Sequence, residues 1–190
     1  FCRVAGVIKP SNDSTIEFET WMPLEDWNGK FQGIGNGGFA GAISFGGLAD
    51  AVRNGYATAS TDTGHQAEGT NADWALGHPE KIVDFGHRAI HEMTVAGKAI
   101  VEAFYETAPN RSYFSSCSNG GRQALMEAQR YPADYDGIVA GAPANNWTHL
   151  MANGITNLQA MDDPAEYIPT AKLRAIQAAA LASCDTNDSV

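Results

Sequence analysis

The chain is short of basic residues, of cysteine and of long apolar runs, and each shortage closes off a class of function. Twelve Lys and Arg stand against 22 Asp and Glu, a formal net charge of −10, and no basic cluster occurs that would follow a phosphate backbone. Nucleic acid is therefore not an expected partner. No run of about 18 apolar residues exists, so no membrane-spanning helix is expected either. The three cysteines, Cys2, Cys117 and Cys184, are too far apart for a zinc-ligand spacing and too few for a disulfide-dense miniprotein. Because their number is odd, an oxidising compartment would leave at least one of them needing a partner outside these residues. The first residues, Phe1-Cys2-Arg3, show neither an initiator Met nor a signal-peptide profile, which suggests a processed or cut N-terminus.

What is present suits one domain with a sizeable core: 190 residues, 44% of them hydrophobic. Strands are expected at Val4 to Ile8, Thr15 to Met22, Phe31 to Gly35, Tyr56 to Thr61, Ser112 to Ser116 and Gly137 to Ala140. The clearest helix lies between Asp84 and Tyr105, where Ile90, Met93, Thr94, Gly97, Ile100, Val101 and Phe104 recur at three- and four-residue spacing. A second helix is expected from about Gly121 to Arg130. Alternation of this kind argues an α/β protein with a largely parallel sheet. Beyond Pro143 the pattern breaks into polar, Asn-rich sequence with one helical stretch at about Thr170 to Ser183. Four N-x-[ST] sequons, at Asn12, Asn110, Asn146 and Asn187, fit an exported glycoprotein, although so short a pattern also arises by chance.

The stretch "YFSSCSNGGRQALMEAQRYP", residues 113 to 132, sets a thiol against a hydroxyl between a strand and a helix. A nucleophile elbow presents its serine on a strained turn in that position, with small neighbours that let the backbones approach. Ser118 has Gly120 and Gly121 after it, but Ser116 stands where the pattern G-x-S-x-G has its first glycine. A catalytic Ser118 and a plain strand-to-helix turn both remain open on these residues. Cys117 is the weaker nucleophile candidate, since its side chain is expected to point back from the apex.

A second element, "GIGNGGFAGA" from Gly33 to Ala42, follows a strand. Its backbone N–H groups can face negative charge without side-chain obstruction, as an oxyanion hole requires. Gly33, Gly35 and Gly38 also fit G-x-G-x-x-G, with Asp62 placed as a ribose-binding acid would be. Against a dinucleotide site stand Gly41, Gly46 and Gly47, too many glycines for the helix that would receive the pyrophosphate. A glycine-rich surface loop without chemistry is the third alternative.

Five blocks then carry a resemblance: "WNGKFQGIGNGGFAG" (27 to 41), "GYATASTDTGH" (55 to 65), "WALGHPEKIVDFGHRAIHEMT" (74 to 94), "SYFSSCSNGGRQALMEAQRYPADYDGIVAGAPA" (112 to 144) and "CDTNDSV" (184 to 190). In this order, over nearly the whole chain, they resemble the tannase and feruloyl esterase family. The resemblance implies an α/β-hydrolase fold, with residues 1 to 145 as the N-terminal part of the catalytic domain and 146 to 190 as the beginning of an inserted lid. It implies cleavage of carboxylic esters of aromatic acids by a Ser-His-Asp triad whose nucleophile is Ser118. Cys117 would form a disulfide to a cysteine beside the catalytic histidine, tying the base to the nucleophile's turn. The oxyanion donors would be the N–H of Asn119 and that of Gly37 or Gly38, with Gly38 favoured. No cofactor is needed for the chemistry, but the family holds a structural Ca²⁺ in the lid. Asp185 and Asp188 would supply carboxylates to it and Val190 its carbonyl, although Ser189 replaces the usual Gly and a plain acidic terminus is the rival account.

Implied substrates are small aromatic esters: galloyl esters of tannins, feruloyl esters of plant cell-wall polysaccharide, or the mono-ester of terephthalate. The implied location is secreted or periplasmic. The triad order on such a fold is Ser, Asp, His, and after Ser118 the only histidine is His149. His149 is expected to be an ordinary loop residue and His65 a structural one. These residues are accordingly expected to be the N-terminal part of a larger enzyme, poor in catalysis alone. The other class of function that fits is a non-catalytic α/β-hydrolase-like module that binds aromatic acids.

Overall fold

The computed structural model describes residues 1–185. It falls into two compact units, the first Phe1–Asn145 and the second beginning at Asn146.

The first unit is built on one mixed six-stranded sheet. Strands β1 (Cys2–Ile8), β2 (Ile16–Met22), β3 (Lys30–Ile34), β4 (Ala57–Thr61), β5 (Arg111–Cys117) and β6 (Gly137–Gly141) stand in the order β1-β2-β4-β3-β5-β6. The first two form an antiparallel hairpin in register from Cys2 against Met22 to Ile8 against Ile16, and β2 pairs antiparallel with β4. From β4 through β3 and β5 to β6 every pairing is parallel. All five residues of β4, Ala-Thr-Ala-Ser-Thr, are buried, as a strand covered on both faces must be.

Side-chain alternation divides the core in two. Phe31, Ala57, Ala59 and Phe114 pack with Ile90, Met93 and Val101 of α3 (Ala89–Tyr105) and Ala124 of α4 (Asn119–Arg130). On the other face Ile34 packs with Leu48 and Ala51 of α1 (Phe45–Arg53). Close approach is what makes the first face work: a Cβ on Gly97 of α3 would lie 3.1 Å from Ala59 and 3.3 Å from Phe31. Two further helices, α5 (Trp147–Asp162) and α6 (Thr170–Cys184), belong to the second unit and bury none of their residues.

The structure departs from the sequence-based expectation in four places. Helix α1 forms in spite of Gly46 and Gly47, although each glycine costs roughly 1 kcal/mol against alanine in a helix. The gain is tertiary, since Leu48 and Ala51 are buried and Gly47 lets the first turn sit against Ile34. It begins at Phe45, after Gly38 and the rest of the loop rather than directly on it. A short α2 (Pro79–Val83) and a π-helical turn, Asp84–Arg88, lead into α3, so the regular α-helix starts at Ala89, just before its apolar pattern, and not at Asp84. At its other end Phe104 is 40% exposed and Tyr105 turns inward, stacking on Trp27 at 3.9 Å and donating to the Pro23 carbonyl at 2.6 Å. Helix α5 occupies sequence that carried no helical expectation.

Two buried carboxyls give the fold a pH dependence. Burial, reinforced by the charge of Asp134, pushes the Glu127 carboxyl of α4 up to about 8, and burial raises Asp62 at the end of β4 to about 7. In the unfolded chain both ionise in the ordinary carboxylate range, so the native state binds more protons between those limits and loses stability as pH rises through them. The melting temperature of the protein should therefore fall from pH 5 to pH 8, and Glu127→Gln should flatten that slope, leaving the part due to Asp62. An unchanged slope in thermal melts of Glu127→Gln would contradict this assignment.

Candidate active site

Because β3 and β5 run parallel with Ile34 level with Ser115, the segments leaving their C-terminal ends meet. One is the turn at Ser118 and the other the glycine-rich loop from Gly35, placed where open α/β sheets bind ligands.

Ser118 joins β5 to α4 with φ 61° and ψ −121°, a conformation that costs a side-chain-bearing residue about 1–3 kcal/mol. Three backbone bonds hold it there. The Ser118 N–H donates to the Gly141 carbonyl of β6 at 3.1 Å, and the Ser118 carbonyl accepts from the N–H groups of Arg122 at 3.1 Å and Ala144 at 2.9 Å. The residue is exposed, and its hydroxyl makes no capping bond to the helix that it begins. Glycines after it are obligatory for steric reasons: a Cβ on Gly121 would lie 2.7 Å from Pro143 Cα, and one on Gly120 would collide with the Ser116 side chain. The departure from G-x-S-x-G at Ser116 is thereby accounted for. A hydroxymethyl group stands in place of the first glycine because Gly35 and Gly120 leave room for it.

Cys117 is exposed, and its thiol, like those of Cys2 and Cys184, is free. Asn119, the first residue of α4, is fully buried, with its side-chain oxygen accepting from Arg122 Nε at 2.8 Å. Arg122 also donates to the carbonyls of Gly86 at 2.9 Å and Phe85 at 2.8 Å in the π-helical turn, and its guanidinium lies 4.5 Å over the Phe85 ring. Burial lowers its pKa to about 10, which leaves it a cation at neutral pH. The start of α4 is thus clamped to the segment before α3. Sequence patterning offered no sign of this role for Arg122.

Gly37 and Gly38 are exposed, and the carbonyl of Asn36 just before them would lie 3.1 Å from a Cβ on Gly120. Gly38 has φ 56°, and a Cβ there would collide with the Gly69 carbonyl, so both backbone angle and space require glycine. The Phe39 N–H donates to that carbonyl at 2.7 Å, and the Ala67 N–H donates to the Gly41 carbonyl at 3.2 Å. His65 Nε2 donates to the Phe39 carbonyl at 2.9 Å, with its ring stacked on Trp74 at 3.7 Å. Burial holds the His65 pKa below the usual imidazole range, so the ring is neutral at pH 7 with its proton on Nε2. A cleft of about 370 Å³ lined by residues including Asp62, Gly64 and His65 lies on one side of this segment, and another of about 540 Å³ borders Asn36, Gly37 and Glu68; Ser118 lines neither.

The other histidines of the first unit are committed elsewhere: His78 bonds Asp13 at 2.6 Å, His87 the Tyr131 hydroxyl at 2.7 Å and His91 Asp134 at 2.7 Å. Neither these three imidazoles nor that of His65 hydrogen-bonds the Ser118 hydroxyl among the described residues. His149, in the second unit, bonds the Asn146 side chain at 2.9 Å. Asp185 follows α6 and is exposed, whereas Asp188 and Val190 lie outside the described residues. No three His, Cys, Asp or Glu side chains gather to hold a metal among the described residues. No described helix is long and apolar enough to cross a membrane.

The steric argument at the turn has a direct check. Gly121→Ala should destabilise the protein by about 1–3 kcal/mol in a denaturant titration, because neither Pro143 nor the Gly141 carbonyl can move without opening the Ser118 turn. A change below about 0.5 kcal/mol would show that the close approach is relaxed.

The profile described as tannase and feruloyl esterase matches residues 2–190. An uncharacterized esterase of Xanthomonas campestris pv. campestris is 48% identical over 189 residues, which is 99% of this chain and 33% of that protein. A probable feruloyl esterase B-1 of Aspergillus fumigatus is 38% identical over 190 residues, 99% of this chain and 35% of that protein. Among solved structures, feruloyl esterase B from Aspergillus oryzae superposes with TM-score 0.93 at 34% identity, covering 100% of this chain and 38% of that one. Tannin acyl hydrolase from Aspergillus niger superposes with TM-score 0.83 at 26% identity, covering 98% of this chain and 36% of that one. The chain spans about a third of the length of these curated relatives. With the sheet order and the turn at Ser118, these likenesses give an α/β-hydrolase fold.

Proposed function

The chain belongs to the tannase and feruloyl esterase family, and from that premise we propose that it carries the nucleophile and the oxyanion donors of a serine carboxylesterase acting on esters of aromatic acids. The observation that supports this best is the exposed Ser118 held at φ 61° between β5 and α4, with exposed glycines in the loop that leaves the neighbouring parallel strand β3. A buried or relaxed serine would not present its oxygen this way.

In the proposed reaction Ser118 Oγ attacks the ester carbonyl and its proton passes to a histidine outside residues 1–190. The tetrahedral oxyanion is stabilised by the Asn119 N–H, at the positive end of α4, and by the N–H of Gly38 or its neighbour Gly37. Collapse of the intermediate breaks the ester C–O bond and releases the alcohol as it takes the proton. Water then cleaves the acyl-serine by the same route and frees the aromatic acid. Residues 1–190 alone are expected to turn over poorly, because the imidazoles of the first unit are engaged with other partners.

Feruloyl and galloyl esters are the proposed substrate classes, from the names of the related Aspergillus enzymes. The second unit is proposed as the beginning of a lid. Cys117, an exposed free thiol here, is proposed to pair with a cysteine beside the catalytic histidine in the full-length, exported protein. A structural Ca²⁺ held by Asp185, Asp188 and Val190 belongs to the same proposal and has no part in the chemistry, although the described residues supply only the first of these ligands.

The test is kinetic, on the full-length protein with methyl ferulate and methyl gallate. Ser118→Ala should lower kcat by about 10⁴-fold or more, while Cys117→Ala retains far more activity. A wild-type protein that binds the free acids without hydrolysing either ester, with Ser118→Ala binding equally well, would favour the binding module instead.

A further inference from the structure

The glycine-rich loop and the Ser118 turn come from different strands, yet an oxyanion hole needs their N–H groups at one fixed spacing. We propose that Gln123, acting on Asn36, sets that spacing, so that Gln123 is a positioning residue of the active site; this rests on the roles given above to Ser118, Asn119 and Gly38. Gln123 lies four residues into α4 from Asn119, on the same helical face, and is 2% exposed. Its Oε1 accepts from the Asn36 N–H at 3.0 Å and its Nε2 donates to Asn36 Oδ1 at 3.0 Å. Asn36 is the residue before Gly37.

The Asn36 amide uses its remaining hydrogens on two further segments. Nδ2 donates to the Ala42 carbonyl at 2.8 Å, closing the loop on itself, and to the Thr61 carbonyl at 2.8 Å, at the end of β4. Asn36, near the start of the loop, is thereby referenced to the nucleophile helix, to the loop's far end and to the sheet. Only a side chain that both donates and accepts can make the reciprocal pair, and Gly35 leaves room for it, since a Cβ there would lie 2.6 Å from Gln123 Oε1. The fixed α4 backbone carries this reference to the Asn119 N–H.

A loop displaced by an ångström would weaken the tetrahedral state and leave the ground-state aromatic acid bound nearly as before. In the full-length enzyme Gln123→Leu should lower kcat/KM for methyl ferulate or methyl gallate by about 10- to 100-fold. The affinity for a boronic acid, which forms a tetrahedral adduct at Ser118, should fall by the same factor, while the affinity for the free product acid stays within about 2-fold. Gln123→Glu keeps the shape and the acceptor; it should show a smaller loss with the same split, and it provides the comparison if Gln123→Leu does not fold. Ser118→Ala run in parallel separates the two levels, because turnover surviving that change would defeat the serine assignment itself. If Ser118→Ala abolishes turnover while a folded Gln123 variant keeps kcat/KM within about 2-fold, or loses boronic acid and product acid alike, the positioning role is overturned.

Discussion

The structure of this site depends on a single backbone conformation, that of Ser118 at positive φ between β5 and α4. A serine there is strained by about 1–3 kcal/mol, and what sustains it is not local. Its N–H and carbonyl are held by Gly141 and Ala144, so the parallel pairing of β5 with β6 is a condition of the turn. The glycines at 120 and 121 follow from the same constraint, because α4 has to leave the turn pressed against Ser116 on one side and Pro143 on the other.

Around that turn the packing is polar rather than oily. Asn36, Asn119, Arg122 and Gln123 are all buried, and among them they bond four carbonyls, a backbone N–H and one another. Buried networks of this kind tolerate little displacement, since an unmade bond in a low-dielectric interior exposes the full cost of desolvation. Apolar side chains would fill the same volume and leave the loop free to slide. The two faces of the sheet, by contrast, are covered by apolar contacts with α1 on one side and α3 and α4 on the other, which fix the strands and not the N–H directions.

How much of this was legible in the sequence differs from element to element. The stripe along α3 is a periodic signal of burial and the run of small and β-branched residues in β4 a compositional one, and both the strand-turn-helix at Ser118 and the glycine-rich loop show locally. Helix α1 was hidden because its glycines lower its own propensity while Leu48 and Ala51 recover the loss in the core. Phe104 and Tyr105 are adjacent, and apolar spacing cannot decide which of them faces inward; the contacts of Tyr105 with Trp27 and Pro23 decide it. The pair Gln123 and Asn36 is 87 residues apart and leaves no pattern at all. Such reciprocal amide contacts exist only once the sheet has brought β3 and β5 together.

The most direct measurement is a crystal structure of the full-length protein inhibited by an aryl phosphonate ester. The account predicts a covalent bond from Ser118 Oγ to phosphorus, with one phosphoryl oxygen about 2.7–3.1 Å from the Asn119 nitrogen and from that of Gly38 or Gly37. Attachment at any other side chain, or a phosphoryl oxygen turned away from both α4 and the glycine-rich loop, would contradict it.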